Sequence, residues 1–407
     1  GYIADVKKIG KYKVELTFDH YDLTWMFYLG YEDRAAHIAK ETYDAGAAKW
    51  ENQASTGPWM IDEYVSGSYM SYKKNPIWWD TTTIDGIVYD DIPFMDKMIW
   101  PIIPDVSTQM AALRTGKVDY FWNPNSPYWD ELDKGAPQLK SHKFTGVYSF
   151  GIDMRVDEPP FNNKNVRHAM SMATNRKAFA RLQDRGDLPN YFYPIWVGHP
   201  DTLRYSYEDL PKNLQKLFNY DVEEAKKILA KEGYPNGFKV DVYTKTAAED
   251  TDRASLLKDM WSKVGVEVNI IAKDSVSFDK MYRSRPVEMH GAWTMAGSHG
   301  NPAEILLARE STHHWNSNVY SNIWWDTQMG KLKQTVDIKK RHEMIKELSL
   351  FLTDESLVIK TDPRMEGVYW WPWVKNYYGE FAVADNDFQP ILAKAWLDQK
   401  KKKEMGY

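Results

Sequence analysis

Residues 221–243 read DVEEAKKILAKEGYPNGFKVDVY and contain a complete helix followed by the beginning of a strand. Asp221 can cap the N-terminus of this helix, and Glu224 lies three residues later, as in a capping box. Apolar residues recur along one helical face at Val222, Ala225, Ile228 and Leu229. Gly233 can take the left-handed conformation that ends a helix. The segment therefore predicts one amphipathic helix with both ends marked.

The same arrangement continues downstream. A turn at 235–237 leads into a predicted strand over Phe238–Tyr243. A second apolar-periodic helix is predicted over Ala254–Val264, and Gly265 ends it. Val266–Ile270 then alternates as a strand. Because strand, helix and strand follow one another with short connections, we predict an α/β fold.

Other elements are predicted on both sides of this region. Lys13–Phe18 alternates with a period of two and predicts a strand, and Trp59–Tyr72 is a longer alternating stretch. Ile99–Ile103 is a short apolar run that fits a buried strand. Ser107 is the expected cap of a short helix. Lys339–Thr353 predicts a further amphipathic helix.

Length and composition indicate a globular chain of more than one domain. The 407 residues are 43% hydrophobic and 27% charged, which is ordinary for a soluble globular protein and long enough for two or more domains. The net charge of -5 argues against a nucleic-acid partner, which usually requires a basic surface. No apolar run approaches the roughly 18 residues that span a bilayer.

Residue usage also restricts the chemistry. The chain has no cysteine, which removes thiolate nucleophiles, cysteine-ligated zinc and disulfides. It has 18 Trp and 26 Tyr, and amphipathic rings of this kind suit ligand clefts and interfaces, although a core built of large residues is the alternative.

Motifs for enzyme chemistry are missing. The sequence contains no phosphate-binding loop, no dinucleotide fingerprint, no His-Glu-x-x-His and no Gly-x-Ser-x-Gly. We therefore predict that the protein is not an enzyme, with no cofactor and no metal. One alternative stays open: a glycan hydrolase using carboxylates such as Asp90 with Asp91, or Glu304 with Glu310.

Six short segments, taken in order, resemble one family, the oligopeptide-, dipeptide- and nickel-binding receptors of ABC importers. They are STGPW at 55–59, YKKNPIWW at 72–79, LRTGKVD at 113–119, PFNNKNVRHA at 160–169, the segment that begins at 221, and WSKVGVEV at 261–268. Each segment alone describes caps and turns that many α/β proteins use, whereas six in the same order are specific.

The resemblance implies an α/β, two-lobed periplasmic-binding-protein fold of type II, also called a Venus-flytrap fold, with mixed sheets. It implies that residues 1–50 are a remnant of an accessory subdomain of lobe I, that 51–157 form lobe I, that 158–362 form lobe II and that 363–407 return to lobe I. Such receptors have further residues before the strand at Lys13, so the first lobe is expected to be incomplete at the N-terminus.

The function implied by the resemblance is capture of a small solute between two lobes and delivery to the permease of an ABC transporter. The expected location is extracytoplasmic, either periplasmic or at the cell surface, with a lipid anchor as one option. Contact with a membrane is expected only through an anchor or the permease, and no nucleic acid is expected. A surface or structural protein that keeps the receptor fold without transport is the alternative.

The ligand-binding loop is expected between Gly291 and Pro302. In peptide-binding members an Asp three residues beyond a Gly-Trp pair meets the α-ammonium group of the ligand; the matching position here is Ala296. The family's later Asp-Pro is Asn301-Pro302 in this chain. Because a buried ammonium group needs a counter-charge, we predict a neutral oligosaccharide, or a peptide bound without N-terminal carboxylate anchoring.

The resemblance and these residue types together give a predicted ligand-binding set. It consists of Trp293, Thr294, Met295, Ala296, Ser298, His299, Asn301 and Trp196. The loop residues offer neutral donors and acceptors, and the indoles can stack on a sugar face or cover an apolar ligand. Trp315 could contact the ligand in the same way. For both Trp196 and Trp315, packing in the core of a lobe is the alternative.

Overall fold

A computed structural model describes residues 3–23, 25, 29, 38–124, 128–182, 194–195, 199–284, 288–298, 301–380 and 389–407. The chain divides into two compact units. Unit 1 consists of Gly1–Trp25 and Gly146–Arg364, and unit 2 of Met26–Thr145 and Met365–Tyr407. The lobe boundaries drawn from the sequence stay a prediction.

The strands of the described residues are β1 Ile3–Gly10, β2 Lys13–Phe18, β3 Trp59–Val65, β4 Tyr69–Lys74, β5 Thr82–Ile84, β6 Ile87–Tyr89, β7 Lys97–Pro101, β8 Tyr120–Trp122, β9 Lys140–Met154, β10 Lys239–Lys245, β11 Glu267–Lys273, β12 Ala292–Ser298, β13 Val358–Trp370, β14 Val374–Lys375 and β15 Trp396–Leu397. The helices are α1 Lys40–Gly46, α2 Val106–Arg114, α3 Trp129–Gly135, α4 Lys164–Met172, α5 Arg176–Arg181, α6 Lys212–Gln215, α7 Val222–Lys231, α8 Ala248–Ser262, α9 Ser275–Arg283, α10 Pro302–Leu307, α11 Ile323–Gln334, α12 Ile338–Glu355, α13 Gln389–Leu392 and α14 Gln399–Glu404.

Unit 1 is built on a mixed sheet. Its strand order is β11-β10-β12-β9-β13. β10 runs parallel to β11 and to β12, whereas β12 pairs antiparallel with β9. The parallel part comes from the strand, helix and strand pattern predicted from the sequence, since a crossover helix is needed to join parallel neighbours. The expectation of an α/β unit is therefore confirmed for this region.

Residues that the sequence marks as helix caps and turns act as predicted. The side chain of Asp221 accepts a hydrogen bond from the backbone N–H of Glu224 at 2.9 Å and caps α7. Gly237 and Gly265 both have positive φ and lie against each other, so that a Cβ on Gly237 would overlap the carbonyl of Gly265. Only glycine fits this crossing of two turns.

Four elements differ from the sequence-based expectation. The run at Ile99–Ile103, predicted as a buried strand, overlaps β7 Lys97–Pro101, in which Ile99 is 59% exposed. The cap of α2 is Asp105, whose carboxylate accepts from the N–H of Thr108, so the expected cap at Ser107 was wrong. The alternating stretch from Trp59 is two strands, β3 and β4, which turn at Gly67 with a φ of 71°. α8 begins at Ala248, six residues before the predicted start. The prediction missed these residues because 248–253 carry no apolar stripe.

Alternation along the strands places apolar clusters on both faces of the unit 1 sheet. Ile152, Ala292 and Ile359 belong to one core, which also contains apolar residues of α4, α7 and α8. Trp293, next to Ala292, packs in a separate cluster with residues of α9. Val358, next to Ile359, packs with residues of α10, α11 and α12. The sheet is thus covered on both faces.

Arg167, in the PFNNKNVRHA segment, ties α4 to the end of α12. Its guanidinium donates to the backbone oxygens of Glu355 at 2.7 Å and of Phe161 at 2.8 Å, and pairs with the Glu355 carboxylate at 3.0 Å. A buried arginine needs partners of this kind, since an unpaired buried charge is costly. The segment is therefore structural.

Unit 2 contains a three-stranded sheet, β3-β4-β7, and a Trp-rich core. Trp371 and Trp373 stack with ring centroids 4.4 Å apart and planes 6° apart. Trp371 Nε1 donates to the carbonyl of Leu113 at 2.8 Å, and Trp373 Nε1 donates to Asp119 at 2.7 Å. The LRTGKVD segment thus supplies the acceptors for both indoles.

Candidate functional site

Trp293, the first residue of the predicted binding set, is fully buried in β12. It packs with Tyr243, Phe278 and Met289, and its ring meets that of Tyr282 edge to face at 6.3 Å. Met295 lies against the same cluster. Among the described residues, the indole Nε1 of Trp293 has no hydrogen-bond acceptor. The residue combines a packed ring with one unused donor.

Thr294 lies on the opposite face of the sheet. Its hydroxyl donates to Thr244 Oγ1 at 2.7 Å, and both residues are buried. Close by in register, Phe150 of β9 pairs with Ala296, and the Arg253 guanidinium lies 3.6 Å from the centre of the Phe150 ring. The threonine pair joins the carboxyl end of β10 to the first half of β12.

Asn301 has a local structural role. Its side-chain oxygen accepts from the backbone N–H of Ala303 at 3.0 Å and of Glu304 at 3.4 Å, so it caps α10, with Pro302 at the first helical position. Asn before Pro at this place is a helix-start signal that the sequence contains. The amide nitrogen is not needed for this cap.

The rest of the predicted set is placed only in part. Ala296 and Ser298 are strand positions of β12, paired with Phe150 and Tyr148 of β9, and their side chains lie outside the described part of the chain. His299 and Trp196 also lie outside the described residues. The structure thus brings Trp293 and Met295 together, puts Thr294 on the other face, and leaves the role of the set a prediction.

A buried polar cluster adjoins Trp293, and the sequence reasoning missed it. We define it as Asp153, Arg309, Asn318 and Lys360. Asp153 pairs directly with Trp293 across β9 and β12, so the two side chains share one face of the sheet. Arg309 Nη2 lies 3.9 Å from the Asp153 carboxylate. The two groups form a buried ion pair, since Asp153 is only 6% exposed.

Asn318 holds this cluster to the backbone. Its side-chain nitrogen donates to the carbonyls of Met154 at 3.0 Å and Leu357 at 3.1 Å, and it approaches Asp153 Oδ1 at 3.4 Å. These contacts join β9 to the start of β13, two strands that are distant in sequence. An asparagine that is fully buried and bonded in this way fixes the position of the neighbouring carboxylate.

Lys360 is the second cation of the cluster. It lies on β13 and is 7% exposed. A Cβ on Gly151 would lie 3.1 Å from its Cδ, so the lysine stem crosses the bare backbone of β9 on the same face as Asp153. Within the described residues, its ammonium group has no hydrogen bond and no carboxylate within 4 Å. Lys360 is thus a mostly buried cation that is attracted by the Asp153 carboxylate.

Burial controls the electrostatics of this cluster. It lowers the pKa of Lys360 to about 8, against the attraction of Asp153, and Arg309 lowers the pKa further. Burial also raises the pKa of Asp153, whereas Arg309 and Lys360 oppose that rise. Because desolvation disfavours every charged form, both groups need nearby opposite charge to stay ionised.

Three of the four carboxylates considered for glycan hydrolysis lie beside a basic side chain. Asp91 pairs with Lys74 at 2.5 Å, and Glu310 pairs with Lys333 at 2.7 Å. Glu304 lies 3.8 Å from a ring nitrogen of His313. Within the described residues, no three His, Asp or Glu side chains come together as a metal site would require. In the same part of the chain, no helix is both long and apolar enough to cross a membrane.

Comparison with known proteins gives the family. Residues 1–315 match the family model described as bacterial extracellular solute-binding proteins, family 5 Middle. The chain belongs to this family. The resemblance seen in the six segments is confirmed, and the family is one of binding proteins.

Similar proteins are distant in sequence. Heme-binding protein A of Haemophilus influenzae is 23% identical over 368 residues, which are 87% of this chain and 63% of that protein. The dipeptide-binding protein of Pseudomonas aeruginosa is 24% identical over 93% of this chain and 69% of its own length. The chain thus spans about two thirds of the length of these relatives.

Solved structures confirm the fold. The periplasmic binding protein DppA from Helicobacter pylori, in complex with peptide STSA, matches with a TM-score of 0.77 at 20% identity over 98% of this chain and 74% of its own. AgaA from A. tumefaciens R10, in complex with agropinic acid, also matches with a TM-score of 0.77. It is 20% identical, and the match covers 98% of this chain and 78% of AgaA. The fold is that of the type II periplasmic binding proteins.

Proposed function

We propose that this chain is the ligand-binding part of an extracytoplasmic receptor that captures a small solute and delivers it, chemically unchanged, to the permease of an ABC importer. The single observation that carries the proposal is the family match over residues 1–315. The order of the six segments and the fold support it. Asp91 and Glu310 each form an ion pair with a lysine, as many carboxylates without a catalytic role do.

Two ligand classes follow from the loop after β12. The relatives are described as binding dipeptides, di- and tripeptides, glutathione or heme. In this chain Ala296 and Asn301 occupy the positions where the resemblance expects carboxylates, and Asn301 Oδ1 caps a helix. Asp153, a buried carboxylate on the Trp293 face, pairs with Arg309. We therefore propose a neutral oligosaccharide, or a peptide held without an N-terminal carboxylate anchor.

Tryptophan fluorescence tests the receptor proposal, because 18 Trp residues report on ligand binding. The purified protein is titrated with cello- and manno-oligosaccharides and with di- to pentapeptides, and each mixture is then analysed for new products. Saturable change with unaltered ligand supports a receptor, and the ligand that gives it decides between the two classes. A product of hydrolysis would support the alternative that the protein is a glycan hydrolase. A flat response to every ligand would favour a surface or structural protein.

A further inference from the structure

The turn between α7 and β10 contains an Asn-Gly dipeptide that occurs only once in the chain. Asn236 and Gly237 follow Pro235 in this turn, and no other asparagine of the sequence precedes a glycine. In such a dipeptide the backbone nitrogen of the glycine can attack the side-chain carbonyl of the asparagine, because glycine has no side chain to shield that nitrogen. Asn236 is exposed, and its side-chain amide makes no hydrogen bond within the described residues. The amide is therefore accessible for this reaction.

The folded turn engages the nitrogen that would attack. The N–H of Gly237 donates to the carbonyl of Tyr234 at 3.0 Å, which closes a four-residue β-turn with Pro235 in its second position. The rings of Tyr234 and Phe238 meet edge to face at 5.2 Å, so the side chains on both sides of the dipeptide pack together. Attack requires the Gly237 nitrogen to lose its proton and to approach the Asn236 side chain, and both changes disrupt this hydrogen bond. The folded turn therefore opposes the reaction.

The crossing with Gly265 leaves no room for a longer main chain. A Cβ on Gly237 would lie 2.0 Å from the carbonyl oxygen of Gly265, and a Cβ on Gly265 would lie 2.8 Å from the carbonyl oxygen of Asn236. The carbonyl of Phe238 then accepts from the N–H of Glu267 at 2.8 Å, next to the start of the β10 and β11 pairing. An isoaspartate adds one carbon to the main chain, and these contacts fix the backbone on both sides of it. The native crossing cannot accommodate that product.

We propose that Asn236 is a deamidation site that the folded turn protects, and that its conversion to isoaspartate prevents the native turn from forming again. Hydroxide removes the proton of the Gly237 N–H, the nitrogen forms a bond to Cγ of Asn236, and the bond from Cγ to Nδ2 breaks. The leaving nitrogen takes a proton from water and departs as ammonia, which regenerates hydroxide. Water then opens the cyclic imide at either carbonyl and gives aspartate or isoaspartate. The chain thus loses its ability to refold in proportion to the time it has spent unfolded.

Rates of deamidation in folded and unfolded protein test the protection. The wild type is kept at pH 8 with and without guanidinium chloride, and samples are digested with trypsin. The tryptic peptide Glu232–Lys239 contains the site, and chromatography with mass spectrometry distinguishes asparagine, aspartate and isoaspartate in it. We expect the unfolded protein to deamidate at least about tenfold faster, because attack in the folded state has to wait for the turn to open. Equal rates, or no conversion in either sample, would overturn the proposal.

Refolding tests the effect of the product. Unfolded protein is diluted out of the denaturant after increasing times, and the native fraction is measured by tryptophan fluorescence. The refoldable fraction of the wild type should fall at the rate at which isoaspartate accumulates. Asn236→Gln should keep its yield, because its longer side chain would have to close a larger and less favourable ring.

Asn236→Asp is the matched control, because it has the charge of the product without the extra main-chain carbon. Freshly unfolded Asn236→Asp should refold with the same yield as freshly unfolded wild type. Full refolding of chains that contain isoaspartate, or an equal loss of yield in Asn236→Gln, would contradict the proposal. A low yield of fresh Asn236→Asp would assign the loss to the charge and would also contradict it.

Discussion

Replacing Lys360 by methionine should stabilise the ligand-free protein at neutral pH. The lysine is buried on β13 with Asp153 as its nearest described counter-charge. Tyr282 of α9 and Arg309 also face this region, and Arg309 repels the ammonium group. Methionine matches the volume of the stem and carries no charge, so the folded chain no longer has to desolvate a cation.

The pKa of Lys360 gives the size of the effect. It falls from an ordinary value of 10.5 to about 8, and each pKa unit corresponds to about 1.4 kcal/mol. The folded state therefore disfavours the charged lysine by about 3 kcal/mol at pH 7. This figure already includes the attraction of Asp153. We expect Lys360→Met to raise the free energy of unfolding by about 1–3 kcal/mol at pH 7.

The sign of the pH dependence follows from proton binding. Below pH 8 the lysine is protonated in both states, so the full penalty remains. Between pH 8 and 10.5 the unfolded chain keeps the proton that the folded chain has released, so the free energy of unfolding of the wild type rises with pH through this window. The advantage of the methionine variant should shrink over the same range and be nearly gone at pH 10.5.

Urea unfolding of both proteins at pH 7, 8, 9 and 10, followed by tryptophan fluorescence, measures this difference. Lys258→Met, at an exposed lysine of α8 in the same unit, is the control, and it should change the free energy of unfolding by less than about 0.5 kcal/mol at every pH. The reasoning is refuted if Lys360→Met is less stable than the wild type at pH 7, or if the difference between them does not change up to pH 10.

Three further predictions concern other residues. Gly237→Ala should lower the free energy of unfolding by more than about 2 kcal/mol, because its Cβ would overlap Gly265. Gly330→Ala, in open space on α11, should raise the free energy of unfolding by up to about 1 kcal/mol. Urea unfolding measures both, and equal changes in the two variants would contradict this prediction. Asn318→Ala should lower the free energy of unfolding by about 2 kcal/mol, since the buried carbonyls of Met154 and Leu357 each lose the hydrogen bond from the Asn318 amide, although Leu357 keeps one from the Met154 N–H. A loss under about 0.5 kcal/mol in the same assay would show that these bonds are dispensable. Trp293→Phe, which keeps most of the packing but removes the free N–H, should weaken ligand binding in a fluorescence titration, and unchanged affinity would place the ligand elsewhere.

The fold was predictable because its signals are local. Asp221, Gly233 and the turn at 235–237 mark one helix and the next strand within a short window, and β2 occupies the predicted Lys13–Phe18 without change. Where the signal was weaker, the boundaries moved. Ser107 and Asp105 are both good capping residues, and the choice depends on which one reaches the N–H of Thr108.

The candidate site was predictable only in part. Trp293 could be located because the Gly-Trp pair lies in one short loop that resembles the family. Asp153 and Lys360 are separated by some two hundred residues, and only the neighbouring positions of β9 and β13 bring them together. Nothing near Lys360 in the sequence marks it as buried, since Val358 and Ile359 before it would fit any strand. Pairing of distant strands carries this information, and local patterns do not.

The stacked pair of Trp371 and Trp373 makes unit 2 optically distinct. Two indoles held almost parallel with ring centroids 4.4 Å apart couple their strongest electronic transitions and are expected to give an exciton-coupled dichroic band in the far ultraviolet. Both rings belong to unit 2, whereas Lys360, Asn318 and Gly237 belong to unit 1. The band therefore reports on the folding of unit 2. In the unit 1 variants, it allows the unfolding of unit 2 to be followed in the same sample as the unfolding of unit 1.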